Sequence, residues 1–183
     1  LIYENLEGAY ENGSDMEKRQ NMQRAAFYAG RAFTRGCVGY VHAIGHAVGG
    51  LYGVPHGKAM AILLPHVLKA FGSSAEAKLA ELADHCGLSA EYGVDHDDRT
   101  GGCACPAYGA MKGKTTNNGK ARLFIEWIEN TKRSMDIPDR FDCIKEEDVE
   151  TIAKWADAEA NPLYPVPKIF DRKQLEDLVR SVM

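Results

Sequence analysis

Three of the six histidines in this 183-residue chain fall within fifteen positions, in the stretch Val41-His42-Ala43-Ile44-Gly45-His46-Ala47-Val48-Gly49-Gly50-Leu51-Tyr52-Gly53-Val54-Pro55-His56-Gly57. Residues four apart in a helix lie one turn apart on the same face, so His42 and His46 can look into one pocket. Histidines at this spacing hold zinc in the H-E-x-x-H motif, but here Ala43 follows His42 and that motif's general base is absent. His56 comes fourteen positions after His42, across Gly49, Gly50, Gly53 and Pro55. A stretch so rich in glycine can fold back and carry His56 towards the helix. His56 also precedes a helix start, where unpaired backbone N–H groups favour an anion or phosphate.

A lone histidine on an apolar helix is usually a satisfied core residue. Three in one stretch free of other charge are harder to account for that way, because each neutral imidazole brings polar atoms that need partners. Metal binding or catalysis is therefore favoured over a purely structural use. His66, after Pro65, is a weaker candidate, and His85 and His96 read as surface residues. A catalytic divalent metal normally takes at least three protein ligands plus an open position. No carboxylate sits at helical spacing from the histidines, and the dense cluster Asp95, Asp97, Asp98 falls in a segment that reads as a solvated loop. The site is expected to be incomplete within this chain. The five cysteines (Cys37, Cys86, Cys103, Cys105, Cys143) are odd in number and scattered, and Cys103-Ala104-Cys105 is too tight for a zinc-ribbon pair. A reduced, cytoplasmic protein with packed or incidental thiols is the simplest reading.

The elements that must position these histidines read as helices. Residues 1–12 end at Gly13-Ser14, and Ser14 or Asp15 can cap a second helix from Met16 to about Arg35. That helix repeats Met22, Ala25, Ala26, Ala29 and Phe33 at helical spacing, and Gly36 ends it. From Val38 to about Gly49 the chain is almost free of charge, which marks a buried helix. Gly49-Gly50 and Gly53 are expected to open the chain before a second apolar helix from Lys58 to about Phe71. Further helices are expected from Ser74 to Cys86, Lys120 to Met135, the acidic Lys145-Glu146-Glu147-Asp148 start to Ala160, and Arg172 to Val182 under an Asp171 cap. Asn161-Pro162-Leu163-Tyr164-Pro165-Val166-Pro167 cannot be helical with its prolines so close. With no period-2 pattern and no repeat, the fold class is all-α, a helical bundle forming a single domain over 1–183.

The totals exclude several partners. A formal net charge of −4 gives no support to nucleic-acid or anionic-membrane binding. No apolar run approaches the roughly 20 residues that span a bilayer. The first residue is Leu1 rather than Met, so the chain is expected to be processed or part of something longer.

His42-Ala43-Ile44-Gly45-His46, Tyr52-Gly53-Val54-Pro55-His56-Gly57 and Ala61-Ile62-Leu63-Leu64-Pro65-His66-Val67 together closely resemble the iron-containing (group III) alcohol dehydrogenases. The ordered pattern H-x3-H-x8-P-H-G carries the likeness. Arg24–Phe33, Ile144–Asp148 and Asn161-Pro162 extend it along most of the chain. Members of this family join an N-terminal α/β domain that binds NAD or NADP to a C-terminal helical domain that carries the metal. The resemblance implies that His42 and His56 are metal ligands and that His46 faces substrate and nicotinamide as a proton relay. It implies Fe2+, with Zn2+ in some members, acting on an alcohol or aldehyde substrate. The family's other two ligands, an Asp and a His four residues later, would lie just before Leu1. The nucleotide-binding domain would likewise be missing from this chain. The isolated chain is then expected to bind metal weakly and to be inactive. It is expected to expose an apolar patch where the missing parts dock, and to form a homo-oligomer. A stand-alone, non-catalytic helical module that binds metal or a protein partner is the alternative.

Overall fold

The structure, a computed structural model, describes residues 1–91 and 116–183. Among them the regular elements are helices, with no strand: α1 (Ile2–Glu11), α2 (Met16–Gly36), α3 (Tyr40–Tyr52), α4 (His56–Phe71), α5 (Ser73–His85), α6 (Leu88–Glu91), α7 (Asn117–Ser134), α8 (Val149–Ala160) and α9 (Arg172–Ser181). The all-α expectation is borne out. No helix among the described residues is long and apolar enough to cross a membrane. The chain divides into two compact units, Leu1–Phe71 with Glu129–Met183, and Gly72–Ile128.

The first unit holds the core. Helices α3, α4, α9 and α8 pack in a ring, each against the next. Its interior is made of fully buried apolar side chains from all four: Ile44 and Val48, Ile62 and Leu63, Leu175 and Val179, and Val149 and Ile152. Burying each such side chain is worth about 1.5–3 kcal/mol, so the ring is the stable platform of the unit. On α8 the buried positions Val149, Ile152, Ala153, Ala156 and Ala160 recur at three and four, as one helical face requires. Small residues allow close approach. Gly45 of α3 lies against Met60 and Leu63 of α4, where a side chain would have to displace the Met60 tip.

Two tyrosines pin α3 to the ends of α8. Tyr40 is fully buried; its hydroxyl donates to Asn161 Oδ1 (2.7 Å) and accepts from the Phe170 N–H (2.9 Å). Its ring stacks on Phe170 with centroids 4.9 Å apart. At the other end of α3, Tyr52 donates to Asp148 and accepts from the Lys145 N–H (3.1 Å). The start of α3 thus meets the end of α8 and the reverse, so the two helices run antiparallel. The proline-rich strap after α8, with Asn161–Pro162 in the cis form, is tied to the same buried hydroxyl.

Several boundaries differ from the sequence expectation, for local reasons. Gly49 and Gly50 do not open the chain; α3 continues through them to Tyr52. The break falls at Gly53, whose φ of 68° is left-handed and whose N–H closes on Gly49 O. Helix α4 begins at His56, two residues before the expected Lys58, with the Ala59 N–H bonded to Pro55 O. Asp15, rather than Ser14, caps α2 by accepting from the Lys18 N–H, and Asp171 caps α9 in a capping box with Gln174.

Helix α2 departs most from its pattern. It packs on α1, where the buried Asn5 accepts from Asn21 (3.0 Å), yet only Ala25 of its residues is buried. Of the expected apolar face Ala25 is buried and Met22 half-buried, whereas Ala26, Ala29 and Phe33 are exposed, as are Met16, Phe27 and Tyr28 beside it.

Near the end of α7, Lys132 is buried with its Nζ 3.0 Å from Asp139 Oδ1. The two form an ion pair, and among the described residues Asp139 is the carboxylate that meets this buried ammonium. That ammonium, with Arg133 adding to it, holds the Asp139 carboxyl below the usual carboxylate range.

The second unit contains α5 and the first part of α7. Asp84 accepts from Lys120 (2.6 Å) and Ser89 (2.8 Å), and Asn118 donates to Glu76 (2.6 Å). His85, at the end of α5, is exposed as expected. His96, the cluster Asp95, Asp97, Asp98, and Cys103 and Cys105 lie outside the described residues. Cys37 and Cys143 are free thiols.

A candidate metal and proton-transfer site on α3 and α4

The sequence stretch folds so that its three histidines meet. His42 and His46 project from adjacent turns of α3, on the side away from buried Ile44 and Val48. The left-handed Gly53 ends that helix and turns the chain, and Val54-Pro55 delivers His56 as the first residue of α4. The ring centroids form a near-equilateral triangle: His42–His46 5.7 Å, His42–His56 5.4 Å and His46–His56 5.5 Å. His46 and His56 are exposed at the surface of the ring of helices, and His42 is half-buried.

Burial, then the neighbouring His46 and His56, push His42 below its ordinary range, with Glu159 opposing. Three imidazoles this close repel one another when protonated, and the neutral form is the one that can offer a lone pair to a metal or accept a proton.

A carboxylate joins them that the sequence did not point to. Glu159, next to last in α8, places Oε1 2.8 Å from His46 Nδ1 and accepts from the Tyr164 hydroxyl at 2.9 Å on the same oxygen. Glu159 is 113 positions from His46. Sequence could have flagged it only as a charge beside the buried face of a helix, and only if the packing of α8 on α3 were already known. Tyr164 lies in the strap that the prolines hold out of helical form. Burial, then its bond to Glu159, raises its hydroxyl above the ordinary tyrosine range and keeps it a donor.

His66 does not join the triangle's network. Its Nε2 bonds Asp139 O (3.1 Å) and its Nδ1 lies 3.4 Å from Ser181 Oγ. These contacts tie α4 to α9 and to the Asp139 segment, a structural use for a half-buried imidazole.

Neutral nitrogen ligands suit Fe2+ and Zn2+, and metal–nitrogen bonds of about 2.0–2.1 Å place two rings at the observed separation within reach of one ion. His42 and His56 therefore fit as two ligands. Among the described residues no group of three or more His, Cys, Asp or Glu is arranged to hold a metal ion.

Comparison with known proteins identifies the family. The family model "Fe-containing alcohol dehydrogenase family, C-terminal" matches residues 1–183. Alcohol dehydrogenase 4 of Saccharomyces cerevisiae is 46% identical over 93 residues, covering 50% of this chain and 24% of that protein. The NAD-dependent methanol dehydrogenase of Bacillus methanolicus is 32% identical over 159 residues, covering 85% of this chain and 36% of that protein. Among solved structures, a 1,3-propanediol oxidoreductase superposes with a TM-score of 0.80 at 28% identity, covering 100% of this chain and 42% of that one. The chain spans about a quarter to a third of the length of these curated relatives. Over its whole length, this chain belongs to the iron-containing alcohol dehydrogenase family and corresponds to its C-terminal domain.

Proposed function

We propose that this chain is the metal-carrying helical domain of an NAD- or NADP-dependent alcohol dehydrogenase, in which His42 and His56 are ligands and His46 handles the substrate proton. The observation that carries the reading is the triangle of rings, 5.4–5.7 Å apart, built from α3 and α4 at the family's own motif. Bound there, Fe2+ (or Zn2+) supplies Lewis-acid polarisation of an alcohol or aldehyde oxygen, and NAD or NADP supplies the hydride chemistry. The work of this chain's own residues is to offer two imidazole nitrogens to the metal and to hold one base beside the substrate oxygen. His46, beside both ligands and exposed, is positioned to take the alcohol proton in oxidation and return it in reduction. The ring of α3, α4, α9 and α8 holds the three imidazoles in place, and Gly53 sets the reach of His56.

The remaining ligands and the nucleotide-binding domain are assigned to the preceding part of a longer protein. Cytoplasmic location and a homo-oligomeric state belong to the same reading. The test has two arms. In the full-length enzyme, His42→Ala and His56→Ala are expected to lower bound iron and abolish turnover, whereas His46→Ala keeps its iron and loses turnover. With the 183-residue chain alone, weak iron binding and no alcohol-dependent reduction of NAD(P)+ are expected. Full iron occupancy in both ligand variants would refute the assignment, and stoichiometric metal in the isolated chain would favour a stand-alone metal-binding module.

A further inference from the structure

We propose that Glu159, anchored by Tyr164, is the positioning residue for His46: it fixes the imidazole in the tautomer with its hydrogen on Nδ1 and leaves Nε2 bare. This rests on the proton-handling role assigned to His46 above, and it adds two residues from the other end of the chain to that role.

Donor and acceptor capacity decides the tautomer. Glu159 Oε1 faces two groups, His46 Nδ1 at 2.8 Å and the Tyr164 hydroxyl at 2.9 Å. The phenol donates. An ionised carboxylate only accepts, so the imidazole partner must donate as well, and the hydrogen of the neutral ring sits on Nδ1. Nε2 then keeps its lone pair, which a ring that is to receive a proton needs. Left to itself a histidine samples both tautomers, and the one with hydrogen on Nε2 has no base to offer there.

The carboxylate is also held still. Glu159 lies between the buried Ala156 and Ala160 near the end of α8, the helix pinned to α3 by Tyr40 and Tyr52. The Tyr164 N–H bonds Ala160 O (2.8 Å), so phenol and carboxylate are anchored to the same turn. The arrangement is the one by which a carboxylate behind a catalytic histidine sets tautomer and orientation in other enzymes, where spoiling it costs up to about 10^4 in turnover.

The tautomer can be read without metal, cofactor or activity. Long-range proton–nitrogen correlation spectra of the 15N-labelled, metal-free chain, recorded where the imidazoles are neutral, distinguish a nitrogen that bears hydrogen from one that does not. Expected for His46 is hydrogen on Nδ1 and a bare Nε2. Glu159→Ala should lose that pattern in favour of hydrogen on Nε2, and Glu159→Gln, which keeps an acceptor oxygen on the same stem, should retain it. A wild-type ring with hydrogen on Nε2, or a wild-type pattern that survives Glu159→Ala, overturns the proposal. Because no metal is present, the result is independent of whether His42 and His56 prove to be ligands.

Discussion

Tyr40→Phe removes a single oxygen from a fully buried aromatic residue, and its cost can be worked from the contacts. The hydroxyl accepts from the Phe170 N–H and donates to Asn161 Oδ1. The phenyl ring retains the stacking on Phe170, so the apolar burial is unchanged. What is lost is a partner for one buried backbone N–H and a donor to one amide oxygen. Leaving a buried polar group unsatisfied costs about 1–3 kcal/mol, and Asn161 keeps its own bonds to Asp157 (2.8 Å) and Phe170 O (3.1 Å). The net expectation is about 2 kcal/mol, which for a chain of this size lowers Tm by about 4–8 °C. Urea denaturation followed by far-ultraviolet circular dichroism gives the free energy. A double-mutant cycle with Asn161→Ala should return a coupling near 1 kcal/mol. A loss under about 0.5 kcal/mol, with no coupling, would mean that the two hydrogen bonds do not exist and that the strap is not tied to α3.

Gly53→Ala forces a side chain into the left-handed region at φ 68° and should cost about 1–2 kcal/mol in the same denaturation assay. Since that turn delivers His56, the His56 ring resonances should shift more than those of His66. Asp171→Ala removes the N-cap of α9 and should cost about 1 kcal/mol; an unchanged midpoint would refute the capping role. Asp139→Asn strands the buried Lys132 ammonium and should cost about 1 kcal/mol at pH 7, towards the low end because half of Asp139 is in water. The Asp139 carboxyl titrates lower in the folded chain than in the unfolded one, so its contribution is present above the unfolded carboxyl range and fades as pH falls through the folded one. The gap between wild type and Asp139→Asn should therefore close below about pH 4, and a gap that is constant with pH would exclude the ion pair as its cause.

The local part of the site was legible because it is written locally. His42 and His46 share a face by helical period alone, and the glycines between Val48 and Pro55 announced a turn that would return His56 to them. Which glycine makes the turn was not legible, since Gly49, Gly50 and Gly53 have equal freedom and only packing along α8 decides how far α3 extends. Glu159 and Tyr164 were invisible for a different reason: they approach His46 through the antiparallel pairing of α3 and α8, a long-range fact with no local signature. Helix α2 shows the limit of spacing as a guide. Its spacing of Met22, Ala25, Ala29 and Phe33 is that of a buried face, but spacing records what a helix could cover and not whether it is covered.

The separation of Glu159 from His46 also bears on the order in which the site assembles. The three imidazoles close a loop of fourteen positions, while the bond from Glu159 closes one of 113. That is three doublings of loop length, an added entropic cost of about 2 kcal/mol before any contact offsets it. Contacts between neighbours in the chain form early and those between distant segments late. The histidine triangle is therefore expected to exist in the folding transition state as a bare cluster, and α8 to bring the orienting carboxylate afterwards. On that account Glu159→Ala should speed unfolding and leave the folding rate almost unchanged, whereas Gly53→Ala should slow folding itself.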